Sequence, residues 1–212
     1  MQTDDLIAQL SAGLEPVRPG TVGRQVALGV CVGLALSIAL MLTWLGLRYD
    51  FGDAIVSFGM WLKLSYAFAL AALALWAMAR LGRPGSDVRL PLLLLALPIG
   101  MIVLLSAIQM MAPGADRAAL VMGHSSDVCA INILCCSLPL LAGGFWILRR
   151  MAPTNLGLAG TMAGLFAGAA GAVVYAFHCT EAAAPFILAW YTLGMGLSAL
   201  TGAVLGPWLL RW

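Results

Sequence analysis

Charge is what this sequence most lacks. Only 9% of its 212 residues are Asp, Glu, Lys or Arg, against about 25% in soluble domains, so the chain cannot cover its own surface in water. Lysine occurs once, at Lys63, and histidine twice, at His124 and His178. No glycine loop runs into a lysine, and neither HExxH nor GxSxG is present, so ATPase and ordinary hydrolase chemistry have no motif to carry them. A nucleophile, a base and an oxyanion site never come together in one pattern, and a non-enzyme is expected. The arginines sit at segment ends instead of forming a basic stripe, so the net charge of +2 implies no direct contact with nucleic acid.

What is present is apolar. Hydrophobic residues make up 62% of the chain and the mean hydropathy is +0.99. Six runs, Gln25–Leu47, Phe58–Ala79, Leu90–Met111, Cys129–Leu148, Leu156–Phe177 and Phe186–Leu210, each approach the ~20 residues that cross a bilayer as a helix. The fold class expected is all-α: a polytopic membrane protein with a six-helix transmembrane domain over residues 25–212, preceded by a polar segment 1–24. That segment is too long for the n-region of a signal peptide and no cleavage site follows, so the first helix is expected to be retained.

Arginine placement gives orientation, because Lys and Arg near span ends stay cytoplasmic. Arg18, Arg24, Arg80, Arg83, Arg89, Arg149, Arg150 and Arg211 belong to the N-terminus, the second and fourth loops and the C-terminus. Only Arg48 and Arg117 lie in the odd loops, beside Asp50, Asp53, Asp116, Asp127 and Glu181. Both termini are therefore expected in the cytoplasm, with the odd loops facing out. Within residues 1–24, Leu6, Ile7, Leu10, Leu14 and Val17 share one helical face, with Asp4 and Asp5 in its first turn. Such a piece either lies on the bilayer or docks a partner.

Small residues recur every four positions at Gly160, Gly164 and Gly168, and again at Gly194, Ser198, Gly202 and Gly206. That spacing predicts close backbone packing of the fifth and sixth spans. Pro98 and Pro139 are expected to kink the third and fourth. Trp44, Trp61, Trp190, Tyr191, Trp208 and Trp212 read as interfacial anchors, and Gln109 and Asn132 as helix–helix hydrogen-bonding groups.

The reactive residues gather at two places. His124, Ser125, Ser126 and Asp127 precede Cys129, while His178, Cys179 and Glu181 lie between the last two apolar runs. Cys31, Cys135 and Cys136 sit inside apolar runs and read as small buried hydrophobes. Cys129 and Cys179 stand at span boundaries on the outward face, where a disulfide, two free thiols, or thiolates holding a soft metal ion are all open. His178, His124, Asp127 and Glu181 are the candidate companions, although the adjacent His178 and Cys179 point in different directions on a helix. Lys63, a little over one turn inside the second span, is expected to snorkel to the headgroups. If it turned inward, Asp50, Asp53, Asp127 or Glu181 would neutralise it. Two other functions remain open on these residues. A quinone-coupled thiol oxidoreductase lacks a CxxC pair, and a metal transporter lacks carboxylate or histidine ligands beside Cys135 and Cys136.

Taken in order, several stretches resemble NrsF-type anti-sigma factors. They are Asp5-Leu6-Ile7 to Leu10, Leu14-Glu15-Pro16-Val17-Arg18, Cys129, Pro139, Gly143-Gly144-Phe145-Trp146, Arg149-Arg150-Met151-Ala152-Pro153-Thr154, Ala176-Phe177-His178-Cys179, Glu181, Ala184-Pro185-Phe186 and Trp190-Tyr191. The resemblance implies a six-span bacterial inner-membrane protein that holds an extracytoplasmic-function sigma factor of the sigma-F type inactive. It also implies a response to heavy metals such as chromate and cadmium through two periplasmic cysteines, which match Cys129 and Cys179. No constitutive cofactor is implied; a soft metal ion or a disulfide at that pair would be the signal. Leu6, Leu10, Leu14, Val17 and Arg18 are the candidate sigma-factor contacts, and the oligomeric state is left open.

Overall fold

The computed structural model describes residues 3–12, 20–83 and 85–211. Among them every regular element is helical. Helix α1 (Thr3–Ser11) carries Asp4 and Asp5 in its first turn, as the dipole favours. Leu6 and Ile7 on it are exposed, while the Leu10 side chain, Leu14, Val17, Arg18 and Trp212 lie outside what is described.

Six helices are long and apolar enough to cross a membrane. They are α2 (Thr21–Trp44), α4 (Phe58–Leu81), the pair α5 (Arg89–Leu94) and α6 (Ala96–Met111), α8 (Ser126–Leu148), α9 (Leu156–Tyr175), and α10 (Ala184–Phe186) running through a π turn (Ile187–Tyr191) into α11 (Thr192–Leu209). Two short helices, α3 (Phe51–Ala54) and α7 (Arg117–Met122), sit in the first and third loops. Large apolar side chains such as Val32, Phe68, Leu104, Leu200 and Trp208 face outward, as a lipid solvent requires.

Helix α9 is the centre, packed by α4, α8 and α11. The glycine stripes expected to bring helices together meet each other here. A methyl on Gly160 would strike Gly202, one on Gly164 would strike Ser198, and one on Gly206 would strike Leu156. Close contact of this kind supplies the dispersion that replaces hydrophobic drive inside lipid. Ser137 and Ser198 share a buried hydrogen bond of 3.0 Å across α8 and α11.

Helix α2 is peripheral and crosses α8, where Gly29 and Gly143 face each other. Near Pro139, the Cys136 carbonyl accepts from Ser37 Oγ at 2.7 Å, a buried bond that ties α2 to α8. Helix α8 stays continuous through Pro139, whereas the third span breaks at Leu95, three residues before Pro98. Proline removes the donor that would have bonded the carbonyl of Leu94.

Most spans shift by a few residues from the apolar runs, and three of these boundaries bear on the site. The first span ends at Trp44, not Leu47, because Gly46 takes φ +76 and returns its amide to the Met41 carbonyl at 2.9 Å. The fourth helix begins at Ser126, so Cys129 lies in its first turn and is buried. The fifth ends at Tyr175, which leaves His178 and Cys179 in the connection to α10. Cys31 is exposed and Cys135 half-buried, so of the three intramembrane cysteines only Cys136 is a core residue.

Candidate functional site

The three odd loops meet at one end of the bundle, and the sequence shows how. Gly46 and Gly123 each adopt positive φ, which lets the chain turn sharply where α2 and α7 stop. Gly59 lies so close to Ala182 that a side chain would overlap it, so the segment 178–183 folds down onto the start of α4. The Gln109 side-chain Oε1 accepts from the Ala184 amide at 2.8 Å, and the Trp190 indole donates to the Val121 backbone carbonyl at 2.9 Å. These bonds bring α6, α7 and the sixth span to the same end.

At its centre are Cys129 and Cys179, both buried and both free thiols. The thiols face each other within hydrogen-bonding reach. Lys63 lies beneath them with no exposed surface, and its Nζ donates to the carbonyls of Cys179 and Glu181, each at 2.6 Å. It therefore does not snorkel. The expected carboxylate partners are not used either: the descending 178–183 segment offers two backbone carbonyls within reach of the amine, and these take its hydrogens.

The Cys179 carbonyl is shared. Arg48 Nη1 donates to it at 3.1 Å, while Nε and Nη2 fork onto the Asp50 carboxylate at 2.7 Å each. The fork holds the Asp50 carboxyl below its usual range and raises Arg48. The Arg48 amide donates to the Phe177 carbonyl at 3.1 Å, and His178 Nδ1 lies 3.0 Å from the Gly46 carbonyl, which makes it the protonated nitrogen. The Cys179 thiol is held below the usual cysteine range, first by the hydrogen bond from Cys129 and then, against the cost of burial, by the positive charge of Lys63. Two tyrosines close the site. Tyr175 is buried beneath it, and the Tyr191 hydroxyl is buried near Cys179 with no hydrogen-bond partner among the described residues.

The candidate companions of the cysteines do not join them. His178 turns toward Gly46, and the His124 ring is almost fully exposed. The Glu181 carboxylate accepts from the His124 amide at 2.7 Å, in a place that Gly123 keeps clear, because a Cβ there would sit 2.7 Å from the carboxyl carbon. Asp127 is exposed in the first turn of α8. No group of three or more His, Cys, Asp or Glu that could hold a metal occurs among the described residues. The arrangement thus suits two-sulfur chemistry, a disulfide or capture of a soft ion by the two thiolates, and not a three- or four-ligand site.

Arg48, Lys63 and Tyr191 are the parts sequence reasoning missed or misread. Arg48 had a signal: it is one of two arginines in loops otherwise free of them. The sequence pattern reads Tyr191 as an interfacial anchor, but it lies at the end of the π turn Ile187–Tyr191 and is fully buried.

The family described as NrsF, negative regulator of sigma F, matches residues 10–212. The chain belongs to the NrsF family. It is 39% identical over 218 residues to the anti-sigma-F factor NrsF of Caulobacter vibrioides. It is 38% identical over 213 residues to the probable anti-sigma-F factor NrsF of Azospira oryzae. Both alignments cover all of this chain and all of the relative. No solved structure matches.

Proposed function

We propose that this protein is a membrane-bound anti-sigma factor. It holds a sigma-F-type extracytoplasmic-function sigma factor at the cytoplasmic face of a bacterial inner membrane and releases it when the Cys129–Cys179 pair reacts. The relatives' names support the anti-sigma part. The observation that carries the sensing part is the burial of two thiols, brought face to face from α8 and the 178–183 segment. Their distance along the chain means that this pairing exists only in the folded bundle.

The cysteine end is the periplasmic end in this reading, since the arginine-bearing loops gather at the other. There Arg149 Nε donates to the Leu209 carbonyl at 2.6 Å, and the Ala152 amide donates to the Gly82 carbonyl at 3.3 Å. The docking element is the segment 1–24, whose apolar face on α1 is exposed in the isolated chain and fits the way amphipathic helices fill a partner's groove. The trigger is either oxidation, in which the two thiols surrender two electrons and two protons to an oxidant and form one S–S bond, or capture of a soft metal ion with loss of thiol protons. A tenfold change in sigma affinity needs only about 1.4 kcal/mol of difference between two packings.

The test is a pull-down of sigma factors on the solubilised protein, intact and lacking residues 1–20, with and without oxidant or cadmium. Retention by the intact chain alone, lost on treatment and kept on treatment in Cys129→Ser/Cys179→Ser, is expected. No sigma factor on a folded intact chain, or release from the double serine variant, would refute it.

A further inference from the structure

The reaction at the thiols takes place at one end of the bundle and the docking segment hangs from the other. Something must join them. Helix α8 carries Cys129 but is locked into the core: most of its inward residues are buried and it packs on α9. Helix α9, tied to α11 through glycine–backbone contacts, has no slack either. The helix that continues directly into the docking segment is α2, and it is peripheral, with less of its length buried than α4, α8 or α9. Its grips on the bundle include the Gly29–Gly143 crossing, Gly33 against Leu140, Ser37 on the Cys136 carbonyl, Met41 buried with Cys136 and Val174, and the turn that follows it.

That turn is bonded to the reactive segment at every level. Gly46 takes His178, the Arg48 amide takes the Phe177 carbonyl, and the Arg48 side chain takes the Cys179 carbonyl. Phe51 packs on Phe177 with ring centroids 6.1 Å apart. Arg48 is itself made rigid by its fork onto Asp50, and its side chain is only 6% exposed. The other donor on the Cys179 carbonyl, Lys63, leads into the core helix α4 and not toward the docking segment.

We infer that Arg48 is the positioning residue that couples the thiol pair to α2, so that the 46–50 turn moves with the 177–179 backbone and tilts the helix bearing the sigma-docking segment. The inference rests on the anti-sigma reading for its output but not for its motion. An S–S bond fixes the sulfurs at about 2.05 Å with constrained Cα separation, so closing the pair draws Cys179 toward α8, and its carbonyl draws Arg48. With Ser37 as the fulcrum, the outer arm of α2 to its last residue Trp44 is seven residues or about 10 Å, and the inner arm to Gly23 is fourteen or about 21 Å at 1.5 Å per residue. A displacement at the outer end of the helix therefore reaches Gly23, where the docking segment joins it, enlarged about twofold and opposite in direction.

The test uses the full chain in detergent, with diamide as oxidant. In Arg48→Gln, the expected result is unchanged retention of sigma factor at rest and a normal loss of two hydrogens at Cys129 and Cys179 by mass spectrometry. Release on oxidation should fall from about tenfold in the unsubstituted chain to less than twofold. Full release from Arg48→Gln would overturn the inference. A second arm needs no substitution at Arg48 and no sigma factor. Hydrogen exchange of the peptide spanning Leu45–Asp50 should change when the natural chain is oxidised, and should not change in Cys129→Ser/Cys179→Ser. Identical exchange before and after oxidation would overturn the coupling outright. Failure of the natural chain to bind any sigma factor would instead remove the anti-sigma reading and leave the exchange arm to decide whether the joint exists.

Discussion

Replacing Lys63 by methionine decides whether this residue is a structural centre or a surface lysine inside a membrane helix. Methionine keeps the length of the side chain and removes only the donor. Among the described residues Lys63 is the sole side chain bonded to the Glu181 carbonyl and one of two bonded to the Cys179 carbonyl. A buried carbonyl left without a partner costs about 1–3 kcal/mol. The part-buried Glu181 carbonyl bears the larger share of that, whereas Cys179 keeps Arg48 at 3.1 Å and bears less. Relief of the desolvation of the amine offsets part of the loss, so the net expected is about 2 kcal/mol. For a chain of this size 1 kcal/mol moves Tm by about 2–4 °C, which places the variant roughly 4–8 °C below the parent in the same detergent. Intrinsic tryptophan fluorescence against temperature measures it, and the rate of Cys179 alkylation by N-ethylmaleimide, read by mass spectrometry, should rise as the segment loosens. A lysine that snorkels contributes neither effect. An unchanged Tm together with unchanged alkylation would refute the reasoning.

The remaining predictions concern the frame and the loops. Gly164→Ala places a methyl against Ser198 and 2.8 Å from the Ala199 Cα; it should cost about 1–3 kcal/mol by the same thermal assay, and an unshifted Tm would contradict the close packing of α9 on α11. Gly123→Ala sits at φ +52 with its methyl on the Glu181 carboxyl, so a penalty of about 1–3 kcal/mol and faster hydrogen exchange over residues 123–125 are expected; normal exchange would refute the Glu181 contact. The Asp50 carboxyl is held low by the Arg48 fork. Its stabilisation is therefore complete above the unfolded carboxylate pKa of about 3.9 and is lost only as pH falls through the lower folded value. Protection of the 45–50 peptide should hold from pH 7 down to about 4, and loss beginning between pH 6 and 5 would refute the fork.

The helices were legible because each apolar run is both long and nearly free of charge, and lipid leaves such a run no other regular state. The glycine stripes were legible as packing faces, and the structure adds that Gly160–Gly168 and Ser198–Gly206 are partners. His178 does diverge from Cys179, but the two lie in the connection after α9 and not on a helix, and His178 is drawn away by the Gly46 carbonyl. What failed to be legible depended on contacts between loops distant in sequence. Lys63 turns inward because the carbonyls of Cys179 and Glu181 wait there, and no local pattern announces a carbonyl. Tyr191 turns inward because one π turn shifts the helical phase. The wider ligand set of His124, Asp127, His178 and Glu181 was inferred from nearness in sequence, yet each has its own backbone partner or faces outward.

The energetics of the switch then separate two kinds of damage. Tenfold release needs about 1.4 kcal/mol, and a typical net hydrogen bond is worth about 1 kcal/mol, so altering one or two bonds in the junction of Gly46, Arg48, His178 and Cys179 is sufficient. The core need not repack, and the glycine-packed pair α9 and α11 can act as a fixed frame. It follows that stability and response should come apart. Gly164→Ala weakens the frame but leaves the junction intact, so the variant should unfold earlier and still release its sigma factor on oxidation by the parental ratio, at temperatures where it remains folded. Arg48→Gln should behave in the opposite way, keeping the resting complex and losing the ratio. If Gly164→Ala abolished the ratio as well, the frame would be part of the moving element, and α2 would not be the lever.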